Sequence, residues 1–173
     1  MRSCSIVLLS VLALVPGWAA DEFEAVKCGA DVPKAMVGKH SSDERVVVLE
    51  ARHSNLGLKD LGGMEITDRL FLNSWRICGS EYAVLVNTAK HLVRDVLQAP
   101  IVEECQIAGK EIPDAVIATL DNSQRQKPKA DREKIMLPAK MAWKIDKSQE
   151  RFVPRATEGL TCAVSGSSAD LKQ

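Results

Sequence analysis

Apolar and polar positions along the chain alternate mostly with the period of strands, and the apolar runs are short. The densest run is Val46-Val47-Val48-Leu49, inside Arg45 to Arg52. Four consecutive apolar residues, three of them β-branched, predict a strand covered on both faces near the centre of a sheet, with at least three of the four buried. Trp75 and Ile77 alternate with Arg76 and Cys78, Gly79-Ser80 reads as a turn, and Tyr82 to Val86 returns. That is a hairpin signal. Met141, Trp143 and Ile145 alternate with Lys140, Ala142 and Lys144, the period of a strand buried on one face. Lys147-Ser148-Gln149 then turns the chain and Arg151 to Pro154 pairs back. Ala115 to Asp121 and Leu92 to Leu97 read as further strands, although Leu92, Val93, Val96 and Leu97 also fit one helix face.

Helical signals are few. Asp31 can cap a short helix over Val32 to Val37, with Pro33 in its first turn and Gly38 as its stop. Asp21 to Cys28 reads as an extended lead-in and His53 to Gly63 as a compact loop. Met64 to Leu72 fits either a helical turn or a strand. Gln98 to Pro100 marks a seam between two halves, Ile107 to Ile112 a small turn around Gly109, and Ser165 to Gln173 a polar tail. The expected class is α+β, mostly β: an antiparallel sheet or a small barrel or sandwich with one or two short helices.

The first residues change the picture of where the protein works. Arg2 precedes an apolar run from Ile6 to Val15, followed by Pro16, Gly17, Trp18, Ala19 and Ala20. A charged start, a short apolar stretch and small residues form the pattern of a cleavable signal peptide. The run is about half of the roughly 20 residues a membrane span needs. Residues 1–19 are therefore expected to be removed, leaving 20–173 as a single globular domain, periplasmic or secreted.

Export gives the cysteines a meaning. Cys4 lies in the leader, and Cys28, Cys78, Cys105 and Cys162 remain. An even number in an exported chain predicts two disulfides. Three connectivities are possible. The preferred one joins Cys28 to Cys78 and Cys105 to Cys162, closing one loop in each half without crossing. No two cysteines have CxxC spacing, which argues against redox or zinc chemistry.

Charge and motifs exclude more than they propose. The chain holds 23 basic and 23 acidic residues, without the excess expected of a nucleic-acid binder. Gly57, Gly62 and Gly63 make a GxxxxGG string, but Gly63 and Met64 stand where a phosphate loop needs Lys and Ser or Thr. No GxSxG elbow is present. His40, His53 and His91 offer no local metal-ligand pair, and no cofactor is expected. Two site candidates remain. His53 and Asp60 could meet His91 in an acid–base site of a hydrolase or lyase. Arg125, Lys127, Lys129 and Arg132, opposed only by Asp131 and Glu133, could contact an acidic or anionic macromolecule. The role expected first is a non-enzymatic binding or inhibitor-type module acting on a macromolecular partner.

Overall fold

The computed structural model describes residues 20–102, 104–124 and 134–165. The leader expected at 1–19 and the four basic side chains between residues 125 and 132 lie outside the described residues. Among the described residues the strands form two antiparallel sheets, with a layer of short helices on the outer face of the first.

The first sheet runs β1 (Lys59–Thr67), β2 (Leu70–Ile77), β3 (Ser80–Asn87) and β4 (Leu92–Leu97), in that spatial order. The expected hairpin is β2–β3, with Ile77 opposite Ser80. Its turn is Cys78-Gly79, one residue earlier than Gly79-Ser80. Both residues have positive φ, 52° and 81°. That geometry matches the right-handed twist of the flanking strands and suits glycine at the second position. Residues 64–72 are neither purely helix nor one strand: they end β1, turn at Asp68-Arg69 and enter β2. The glycine-rich segment expected to be loop supplies the start of β1.

On the outer face lie α1 (Val32–Met36), α2 (Val46–Arg52) and the turns of residues 21–29. The lead-in is thus turned rather than extended. Asp31 caps α1 by accepting from the Lys34 amide at 3.0 Å, and Gly38 with φ 79° ends it. Phe23, Val32, Met36, Leu49 and Leu56 from this layer pack on Trp75, Ile77, Tyr82, Val84 and Val86. Val93 and Val96 join the same core although three positions apart. A bulge between Leu85 and Val86 reverses the alternation of β4 and lets both face the helices.

The expectation that Arg45 to Arg52 is a buried central strand is overturned. The segment is α2; Val46 and Val47 are 39% and 64% exposed, Val48 is half-buried, and only Leu49 is buried. β-Branched residues lower helix propensity by only about half a kcal/mol each, which tertiary contacts override. Here Leu49 anchors in the core, and Glu50 and Arg52 find charged partners on β1 and on the preceding loop. The strand covered on both faces is β3, whose Tyr82 to Asn87 are all buried.

The second sheet comprises β5 (Ile101–Val102), β6 (Cys105–Ile107), β7 (Lys110–Glu111), β8 (Val116–Leu120), β9 (Lys134–Asp146), β10 (Arg151–Arg155) and β11 (Leu160–Ser165). Its order is β5-β8-β9-β11-β6-β7, with β10 also paired to β9. The seam at 98–100 is where the chain passes between sheets. Leu72, Ala83 and Leu97 of the first sheet meet Ile117, Trp143, Ile145 and Phe152 of the second.

The disulfides are Cys28–Cys78 and Cys105–Cys162, the preferred connectivity with one loop closed in each half. The first ties the N-terminal turns to the β2–β3 hairpin. The second joins directly opposed residues of β6 and β11 in a small core with Val116, Ala118, Ala142 and Leu160. Both fit an oxidising compartment. No helix among the described residues is long and apolar enough to cross a membrane.

Candidate functional site

Two features carry chemistry: a buried polar cluster beneath the N-terminal turns and a groove between the sheets. The cluster begins with Asp21. Its Oδ1 accepts from the Phe23 amide at 2.9 Å, a local bond that starts the turn. Its Oδ2 accepts from Arg52 Nη1 at 2.9 Å and lies 2.8 Å from His53 Nε2. Helix α2 ends by delivering both partners, and Arg52 also reaches Glu44 at 2.6 Å. The Phe23 ring lies against His53 and, edge-on, against Trp75, with centroids 5.5 and 5.1 Å away. Asp21, Glu22 and His53 are 6%, 5% and 8% exposed.

The two neighbouring carboxyl groups are driven apart. Burial works to raise the pKa of Asp21, but the hydrogen bonds from His53, the Phe23 amide and Arg52 together outweigh it and hold the group below its ordinary range. Glu22 accepts from the Ser42 amide at 2.8 Å. Burial dominates there, reinforced by the charge of Asp21, and raises its pKa to about 7.

Of the acid–base candidates, only His53 belongs to this cluster. Asp60 sits in β1, where its carboxylate accepts from the Gly62 amide at 3.0 Å and its own amide donates to Glu50 Oε1 at 2.9 Å. His91, in the β3–β4 turn, stacks on His40 at 5.7 Å and contacts Asp43 at 3.1 Å. Among the described residues no hydrogen bond joins any two of His53, Asp60 and His91. The register also separates Asp60 from His91. Asp60 is level with Trp75 and Tyr82, and His91 adjoins Leu92, which pairs with Asn87. Tyr82 and Asn87 stand at opposite ends of β3, about 17 Å apart at roughly 3.4 Å per residue.

The groove lies between β1, the residues just before β8 and the β9–β10 hairpin. It encloses about 600 Å³ between Met64, Glu65 and Ile66 on one wall and Ala115, Lys144 and Lys147 on the other. A second hollow of about 360 Å³ continues it past Asp68, Arg69 and Ser148, with Lys147 shared. The outer side of β1 has no neighbouring strand among the described residues; the Asp60 and Gly62 amides at its start are taken by carboxylates, and the stretch beyond Gly62, beside the groove, is the edge to which a chain could be added.

Sequence reasoning missed Asp21, Glu22, Glu44 and Arg52 as a cluster. Acidic pairs beside an apolar residue ordinarily signal solvation, and nothing local marks these as buried. The only usable signal was the isolated Phe23, an apolar anchor that draws its neighbours inward. All four described cysteines are in disulfides, so none offers a thiolate nucleophile. No group of three His, Cys, Asp or Glu among the described residues is arranged to hold a metal ion. Comparison with known proteins finds no matching family model, curated protein or solved structure.

Proposed function

We propose that the protein is an exported, non-catalytic binding module that holds an extended segment of a partner protein in the groove beside β1. The observation that carries this reading is the coincidence of a groove of about 600 Å³ with a strand edge that has no neighbour among the described residues. Main-chain hydrogen bonds to such an edge supply affinity, and the flanking side chains supply selectivity. Glu65 on one wall, with Lys144, Asp146 and Lys147 on the other, gives a mixed-charge lining suited to a peptide rather than to a polyanion. The basic residues Arg125, Lys127, Lys129 and Arg132, outside the described residues, stand as a separate candidate contact for an acidic partner.

Two further observations support the reading. The disulfides fit an oxidising, exported setting. The separate hydrogen-bonding partners of His53, Asp60 and His91 favour binding over the hydrolase or lyase alternative.

The test is capture from the extracellular or periplasmic fraction of the producing cells, followed by cross-linking to locate the contact. The wild-type chain should retain a protein partner that cross-links to β1. The double variant Glu65→Lys, Lys147→Glu should lose it, while Lys90→Glu, on the β3–β4 turn, should not. A captured partner equally retained by the groove variant would refute the assignment of the site.

A further inference from the structure

The cluster buries two adjacent carboxyl groups, Asp21 and Glu22, while Glu44 and Arg52 at its rim stay about one-third exposed. Asp21, Glu22 and Glu44 contribute three carboxyl groups, and Arg52 is the permanent cation among them. Glu22 is 5% exposed, adjoins the buried Asp21 in sequence, and accepts its bond from a neutral donor, the Ser42 amide. The groups facing it are Asp21 on its own segment and His53 from the end of α2. Arg52 and Glu44 act on it through Asp21. Glu24 and Lys27, the remaining charged residues of the segment, are exposed.

The same carboxyl groups hold the N-terminal turns in place. Residues 20–26 attach through Asp21 to Arg52 and His53, through Glu22 to Ser42, and through Phe23 and Val26 to the apolar core. Cys28, two residues after Val26, is bonded to Cys78. A segment tethered at one end by a covalent bond can open without unfolding the sheet beneath it. We infer that residues 20–26 are a proton-controlled strap, docked at acidic pH and progressively released toward alkaline pH, uncovering the core around Trp75.

The direction follows from linkage. Docked Glu22 titrates at about 7, and an undocked glutamate at its ordinary 4.5. Docking therefore retains a proton that the released strap has lost, and docking weakens as pH rises from 4.5 to 7. Above 7 both forms are ionised and the effect is constant. Asp21 acts oppositely, because its docked pKa is lowered; its contribution is lost only below the ordinary value of 3.8. It leaves the window between pH 5 and 8 to Glu22.

Hydrogen exchange at the Phe23 and Val26 amides reads the opening directly, since Phe23 donates to Asp21 Oδ1 and Val26 to the Phe23 carbonyl. With intrinsic exchange rates divided out, opening should increase on the order of 10- to 100-fold between pH 5 and pH 8, as the separation of the two pKa values dictates. Trp75 emission should change over the same range. Glu22→Gln keeps an acceptor for the Ser42 amide and removes the titration, so its opening should vary less than about threefold. Carbon NMR of the wild-type Glu22 carboxyl supplies a reading that needs no variant. A carboxyl titrating near 4.5, pH-independent opening in the wild type, or full pH dependence in Glu22→Gln would each overturn the strap.

Discussion

At Gly63 the residue scale is easiest to read. A Cβ placed there would lie 2.6 Å from the Leu72 carbonyl oxygen and 2.6 Å from Phe71 Cε1. The aromatic carbon can swing aside, but the backbone oxygen belongs to the paired strand β2 and cannot. Gly63→Ala should therefore destabilise by roughly 1–3 kcal/mol, as overpacking does, and chemical denaturation would measure it. A midpoint equal to wild type would mean that β1 does not hold this register against β2. Glu150 is a second such residue, with φ 52° at the β9–β10 turn. Its carboxylate accepts from Asn87 Nδ2 at 2.7 Å and pairs with Arg94. Asn87 is 2% exposed, so Glu150→Ala would strand a buried amide donor. The expected cost is about 1–3 kcal/mol. Asp68→Ala, at a side chain 83% exposed, should stay within about 0.5 kcal/mol in the same melts.

At the scale of elements, α2 and β3 show how one pattern supports two outcomes. Val46-Val47-Val48-Leu49 and Ala83-Val84-Leu85-Val86 are both continuous apolar runs. The second is paired on both sides, by β2 and β4, and covered on both faces. The first has charged neighbours, and only Leu49 enters the core. Val47→Asp should thus be nearly neutral, within about 0.5 kcal/mol, because the new carboxylate is exposed and sits in the first turn of a helix. Val84→Asp places an unpaired charge at a site 1% exposed and should unfold a domain of roughly 5–15 kcal/mol total stability. Circular dichroism melts of the pair decide between this assignment and a strand at 45–52, for which both substitutions would be ruinous.

Across the whole molecule, three kinds of tie hold the layers together. Apolar packing joins the sheets through Leu72, Ile117 and Trp143. Polar ties reinforce it: Asp95 of β4 accepts from the Phe152 amide of β10 at 2.7 Å, and Glu150 reaches Asn87 and Arg94. The disulfides brace each sheet separately, over sequence separations of 50 and 57 residues. By loop entropy each contributes about 4 kcal/mol. The double variant Cys105→Ser, Cys162→Ser should lower the melting temperature by about 8–16 °C for a chain of this size. The variant Cys28→Ser, Cys78→Ser should do the same and also release residues 20–26 from their tether. A thiol assay on denatured wild-type protein should find none of the four described cysteines free. Neither disulfide spans the seam at 98–100, so among the described residues the sheets are held to each other by the backbone of the seam and by non-covalent ties.

Much of this architecture follows from local chemistry that a sequence carries openly. The Asp31 cap and Gly38 stop delimit α1, period-two alternation marks β2, and Leu97 and Ile101 flank the seam. In the far half of β9 the alternation holds only for Trp143 and Ile145: Met141, expected on the buried face, is 53% exposed, and Ala142, expected opposite it, is buried against the other side of the sheet. An even number of cysteines anticipates two disulfides, but it leaves three connectivities, and the fold selects the one in which each bond closes within one half of the chain. The rest depends on contacts between residues distant in the chain. Whether an apolar run becomes a buried strand or a half-exposed helix depends on which surfaces cover it, and four residues contain no period that distinguishes the two. Whether His53 meets Asp60, His91 or Asp21 depends on register and on the path of the N-terminal turns. Asp21 precedes His53 by 32 residues, and only folding brings them within 2.8 Å. The groove, too, is made by two sheets meeting, and no segment of either one encodes it alone. Burial is a property of the assembled layers, so the acidic pair Asp21-Glu22 acquires its proton chemistry only when Phe23 carries it under the surface.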